Sequence, residues 1–162
     1  MDFKEWHDFF VATAGAAAAL TGLIFVGVSI NITKILSFAK LPDRALLSLV
    51  LLLNILVIST LMLIPAQSYI LIGIEILIIS ICVYSFVTGM DRGIYKGTYS
   101  EYKKQYRISM LYNQLSLLPY IVAAVIILIS KENGIYWLVP GIIISFIKSV
   151  VDAWVLLVEI NR

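Results

Sequence analysis

Five long apolar stretches separated by short polar ones set the pattern of this chain. They cover about 9–32, 45–64, 69–90, 108–130 and 135–160, and the first carries no charge between Phe9 and Thr33. At 1.5 Å per residue, a helix of about twenty apolar residues crosses the ~30 Å hydrocarbon core of a bilayer. The pattern predicts an all-α, polytopic transmembrane bundle of five spans, folded as a single membrane domain over 1–162. The breaks are turn-like. Pro42 and Asp43 suit a helix start after the polar connection 34–44. The Pro65-Ala66-Gln67-Ser68 sequence predicts a compact turn, and Lys131-Glu132-Asn133-Gly134 a second one, with Gly134 suited to ending a helix. Pro119, inside the fourth span, predicts a kink.

Composition agrees with a membrane protein. Hydrophobic residues make up 61% and charged residues 14%, where soluble domains hold nearer a quarter charged. Mean hydropathy is +0.99. A single cysteine, Cys82, excludes an intrachain disulfide. One histidine and no cysteine pair leave few ligands for zinc or a redox metal, so neither metal nor cofactor is expected. His7 next to Asp8 is a weak catalytic signal. No nucleophile elbow, phosphate-binding glycine loop or metal motif accompanies it, so a non-enzymatic protein is expected. The start lacks a basic segment, and Trp6, Phe9 and Phe10 among its charges read as an aromatic anchor rather than a cleavable leader.

Polar residues inside the spans are the first candidates for function. In the fifth, Gly141, Ser145, Lys148, Asp152, Val155 and Glu159 share one helical face. An ionisable group deep in a bilayer is costly and faces protein or water, so this stripe is expected to turn inward. Lys148 and Asp152 stand one turn apart and can pair. Treating spans four and five as a tight hairpin sets Asp152 near Asn113, and Lys148 near Ser116, Leu117 and Tyr120. The same argument for spans two and three sets Glu75 near Ser59 and Asn54 near Ser80. Two roles stay open for Lys148, Asp152, Glu159, Glu75, Asn113 and Asn54. They form a buried network that fixes helix register, or they line a water-filled ion or proton path around an oligomer axis.

The first span carries a different stripe. Gly15, Ala18, Ala19, Gly22, Val26 and Ser29 form a small-residue face, suited to close helix packing within the chain or between copies in a homo-oligomer. The 91–107 segment is the one substantial polar stretch. Tyr95, Tyr99, Tyr102 and Tyr106 recur at helical spacing among Lys96, Lys103, Lys104 and Arg107. This predicts an amphipathic helix on the membrane surface that binds anionic lipid headgroups, the alternative being that span three simply continues into the cytoplasm as a solvated helix; a nucleic-acid partner is not expected.

Nine lysines and arginines fall on the side holding 34–44, 91–107 and the C-terminus, against two on the other, with Lys148 inside the bilayer. That asymmetry predicts an N-out, C-in orientation. Trp6-His7-Asp8-Phe9-Phe10, the run from Ala14 to Val26 (AGAAAALTGLIFV) and Leu41-Pro42-Asp43-Arg44-Ala45 resemble a family of small bacterial multi-span membrane proteins. Some of its members are labelled modulators of a membrane-bound AAA protease. The resemblance covers roughly the first half of the chain. It implies the bacterial cytoplasmic membrane and a regulatory, non-enzymatic role, and carries over no functional residues. The expected function is a self-associating interaction or regulatory module, with the oligomeric ion or proton pathway as the alternative.

Overall fold

The computed structural model describes residues 3–37, 41–98 and 100–160. Among these it holds six α-helices and no strand. The helices are α1 (Phe3–Ile30), α2 (Ile32–Ser37), α3 (Leu41–Met62), α4 (Tyr69–Lys96), α5 (Lys103–Ser130) and α6 (Ile135–Ile160), with 3₁₀ turns at Ser100–Tyr102 and Lys131–Gly134. All but α2 are long and apolar enough to cross a membrane. The five run up and down, so the bundle has two ends. One carries Trp6, the 63–68 turn and the Lys131–Gly134 turn; the other carries the link from α1 to α3 and the 97–102 link from α4 to α5.

Helix α3 is the central one. In its apolar stretch 56% of residues are buried, against 22% in α1, which lies on the outside. Leu51, Leu52, Ile55 and Ile58 of α3 meet Ile72 and Ile76 of α4, Leu117 and Ile127 of α5, and Leu138 and Ile142 of α6 in one core. On α1 the inward residues are Phe10, Thr13 and Ala17. Trp6 packs edge-on against Tyr136 at 5.0 Å between ring centres, joining α1 to α6 at the first end.

Local chemistry sets the boundaries. Ser68 caps α4, its hydroxyl accepting from the Leu71 N–H at 3.2 Å. The α5–α6 reversal needs glycine for space. A Cβ on Gly134 would stand 2.5 Å from the Ile127 backbone nitrogen and 2.6 Å from the Ala123 carbonyl oxygen. Likewise a Cβ on Gly73 would stand 2.8 Å from two atoms of the Leu128 side chain, so the glycine lets α4 and α5 approach closely. Helix α5 runs unbroken through Pro119.

Two expectations change. The 91–107 segment is not a helix of its own: 91–96 finishes α4 and 103–107 begins α5, with the break at Gly97. The reason is burial. Asp91 and Ile94 continue the inward face of α4, and hydrogen bonds from the next helix remove the penalty that exile to the surface would have avoided. Spans two and three are also not a tight hairpin. Helix α3 gives its faces mainly to α1 and α6, while α4 packs mainly on α5, and the expected polar pairings of Glu75 with Ser59 and of Asn54 with Ser80 do not form.

Candidate functional site

At the second end, a cleft of about 520 Å³ opens between α5 and α6, lined also by Ile94 of α4 and by Gly97, Thr98 and Tyr102. Arg44 of α3, Ser109 and Tyr112 of α5, and Lys148 and Asp152 of α6 line it, with Tyr102 and Tyr106 above. The polar side chains arrive there by helical spacing. Tyr106, Ser109, Asn113, Ser116 and Tyr120 lie along one stripe of α5, and Gly141, Ser145, Lys148 and Asp152 along the facing stripe of α6.

Lys148 is paired within the chain. Its Nζ forms an ion pair with the Asp152 carboxylate and donates to Ser109 Oγ at 3.1 Å. The lysine is 7% exposed, whereas the aspartate keeps about a fifth of its side chain open to the cleft. Immediately behind lies a second carboxylate, Asp91, wholly buried. It accepts from the Tyr106 hydroxyl at 3.0 Å and from Asn113 Nδ2 at 3.0 and 3.2 Å. One turn along, Gln114 and Thr88 bond across α4 and α5 at 3.1 Å. Deeper still, the Tyr120 hydroxyl donates to Ser145 Oγ at 3.3 Å, and the Ser145 hydroxyl donates to the Ser116 carbonyl at 3.4 Å. These polar groups form a ladder along the α4–α5–α6 seam, bonded to neighbours of the same chain, while Asn113 Oδ1 and Ser149 Oγ are buried without a partner among the described residues.

No family model matches the chain, and no curated protein or solved structure does either. The reading of the site therefore rests on its own geometry. No cluster of three or more metal-ligating side chains occurs among the described residues.

The expected pairing of Lys148 with Asp152 is present, but Asn113 belongs to Asp91 rather than Asp152. Lys148 reaches Ser109, two turns from the expected Ser116–Tyr120 stretch, because its long side chain extends towards the cleft, while Tyr120 and Ser145 bond across α5 and α6 in the expected hairpin register. Glu75 does not meet Ser59. It accepts from Gln67 Nε2 at 2.6 Å, while Ser59 bonds Thr13 of α1 at 2.9 Å. Asn54 and Ser80 do not bond each other. Both are buried without a hydrogen-bond partner among the described residues, although the Asn54 amide lies close to the Tyr120 hydroxyl. Glu159 sits in the last turn of α6, and its side chain lies outside the described residues.

Gly15, Ala18, Ala19 and Gly22 all face outward, and a Cβ on either glycine would meet nothing within 4 Å. Of the basic tyrosine segment, Lys96, Tyr102, Lys104 and Arg107 are exposed, and Lys103 Nζ lies 5.7 Å from the Tyr95 ring centre. Tyr106 turns inward instead, to Asp91, and Tyr99 lies outside the described residues. Sequence reasoning missed Asp91, Ser109 and Arg44 as site residues. Asp91 did carry a signal: it falls on the helical face of Ile76, Ser80 and Val87, all buried.

Proposed function

We propose that this chain is a multi-pass module of the bacterial cytoplasmic membrane that self-associates through α1 and acts by interaction or regulation rather than catalysis. Its N-terminus lies outside and its C-terminus inside. The carrying observation is the outward stripe of Gly15, Ala18, Ala19 and Gly22 on the least buried of the five long helices. Within the chain α1 packs through Phe10, Thr13 and Ala17, so its small-residue face is left for another helix. Such faces let backbones approach closely, and dispersion contacts then favour association in lipid. The basic residues gathered at the cleft end support the orientation, and exposed Lys96, Lys104 and Arg107 support contact with anionic headgroups. The resemblance to small bacterial membrane proteins supports the regulatory role.

The alternative is an ion or proton path around an oligomer axis, lined by the polar face of α6. The bonds of Lys148 to Asp152 and Ser109 of its own chain favour the first reading. Cysteines at Gly15 or Ala19 should crosslink copies in native membranes, and Gly15→Leu with Gly22→Leu should abolish crosslinking without loss of the folded monomer. A chain that stays monomeric in lipid, or crosslinks equally with leucines in place, overturns self-association. A cysteine beside Lys131 should react with an impermeant reagent from outside; reaction only from inside would reverse the orientation.

A further inference from the structure

We infer that the seam between α3, α4, α5 and α6 holds a file of internal water that enters from the cleft and ends near the middle of the bilayer. The inference rests on reading the chain as membrane-embedded, and needs neither its orientation nor its self-association.

Unmet hydrogen bonds carry it. Apart from Gln67 Oε1 in the 63–68 turn, the buried side-chain polar atoms without a partner among the described residues lie on these four helices. They are Nδ2 and Oδ1 of Asn54 on α3, Ser80 Oγ on α4, Asn113 Oδ1 on α5 and Ser149 Oγ on α6. All four residues are 3% exposed or less. Native interiors leave few such atoms unpaired, and acyl chains offer them nothing. The Tyr120 hydroxyl lies close to the Asn54 amide but gives its own proton to Ser145. It can therefore accept from Nδ2 only, and Oδ1 still lacks a donor.

Observed contacts fix where these atoms lie. Thr88 bonds Gln114, and Gly73 lies against Leu128, so Ser80, midway between them on α4, stands at the level of Tyr120 on α5. That level is mid-bilayer. Ser80 is 11 residues from Tyr69, about 17 Å along α4, half of the ~30 Å hydrocarbon core. Asn113 lies two turns nearer the cleft than Tyr120, and Ser149 one turn nearer than Ser145. Tyr106, in the cleft lining, bonds Asp91, and Asp91 in turn bonds Asn113. The unpaired atoms thus form a trail from the cleft to the level of Tyr120, with Ser116 and Ser145 between. Past Tyr120 the trail stops, and the core is Ile58, Ile72, Ile76, Ile127 and Leu138.

The chemistry of the trail selects the ligand. Asn54 presents an amide donor and a carbonyl acceptor together, and each serine hydroxyl is both. A cation would meet the amide hydrogens and an anion the carbonyl oxygens, whereas water serves both. Small buried side chains flank Tyr120 at Ser116, Ala123, Ala124 and Ser145, which suits single waters rather than a larger solute.

Solid-state NMR of the full chain in phosphatidylcholine vesicles, labelled at asparagine and cysteine, tests this through polarisation transfer from water. The Asn54 and Asn113 side-chain amides should receive it as readily as exposed Asn133. Cys82, two residues from Ser80 but exposed on the outward face of α4, should receive polarisation from acyl chains instead. Ser149→Leu fills the trail between the cleft and Tyr120 and should abolish transfer to Asn54. Val125→Leu, on the exposed face of α5, should leave that transfer intact, and circular dichroism checks that both variants keep their helices. Absence of transfer to Asn54 in the native chain overturns the inference, whatever the variants do. Transfer to Asn54 that survives Ser149→Leu would bring the water from another side, and also overturns it. Water contact at Cys82 would instead overturn the membrane-embedded reading on which the inference stands.

Discussion

The two ends of the bundle are held by different physics. At the Trp6 end, shape dominates. Gly73 takes Leu128, Gly134 lies on the Ile127 backbone, Gly141 faces the Tyr120 ring, and aromatic rings join α1 to α6. At the cleft end, α5 and α6 part, and polar bonds replace close packing: Lys148 to Asp152 and Ser109, Asp91 to Tyr106 and Asn113. A bilayer provides little hydrophobic drive between helices, so a membrane bundle coheres by backbone approach or by mutually satisfied polar groups. This chain uses one at each end. Among the described residues a cleft of about 520 Å³ opens at the polar end, where α5 and α6 are held by side-chain bonds rather than by small residues that admit close approach.

The largest effect should come from the polar end. Asp91→Leu leaves the half-buried Tyr106 hydroxyl and the buried Asn113 amide without their acceptor, a loss of about 2–4 kcal/mol for the two donors. Thermal unfolding of the detergent-solubilised protein should fall accordingly, and Asp91→Asn should recover part of it. An unchanged midpoint in Asp91→Leu would mean that the ladder does not hold the end together. At the packed end, Gly134→Ala meets backbone atoms that cannot swing aside, and overpacking of this kind costs about 1–3 kcal/mol. The same melt measures it, and a neutral result would show that the α5–α6 turn has slack. Smallest of all, Gly15→Leu on the outward face should change the monomer by less than ~0.5 kcal/mol while reducing crosslinking between copies.

How legible each end was follows from the same contrast. The five helices were readable because long uncharged runs have one stable form in lipid, where backbone polar groups must bond within the segment. The Lys148–Asp152 pair was readable because both residues lie on one helix, where spacing fixes which side chains meet. Contacts between helices were not. Glu75 was expected at Ser59, but Ser59 bonds Thr13 of α1, a partner that no reading of a single hairpin contains. Asn113 was expected at Asp152 and bonds Asp91, which looked like the first residue of a surface segment. A charge at the end of an apolar run has two outcomes, solvent or a partner helix, and the run alone does not choose. The outward stripe on α1 was visible as a pattern, but its direction was settled only by which face of α3 it meets.

The central claim is that the charges of the last helix are satisfied inside one chain. A double-mutant cycle on Lys148 and Asp152, read as unfolding free energy in detergent at several protein-to-detergent ratios, tests it most directly. A buried, hydrogen-bonded pair predicts a coupling above ~1 kcal/mol, unchanged by dilution, with the double variant Lys148→Met/Asp152→Leu more stable than Asp152→Leu alone. A coupling near zero, or one that appears only at ratios that favour oligomers, would contradict it.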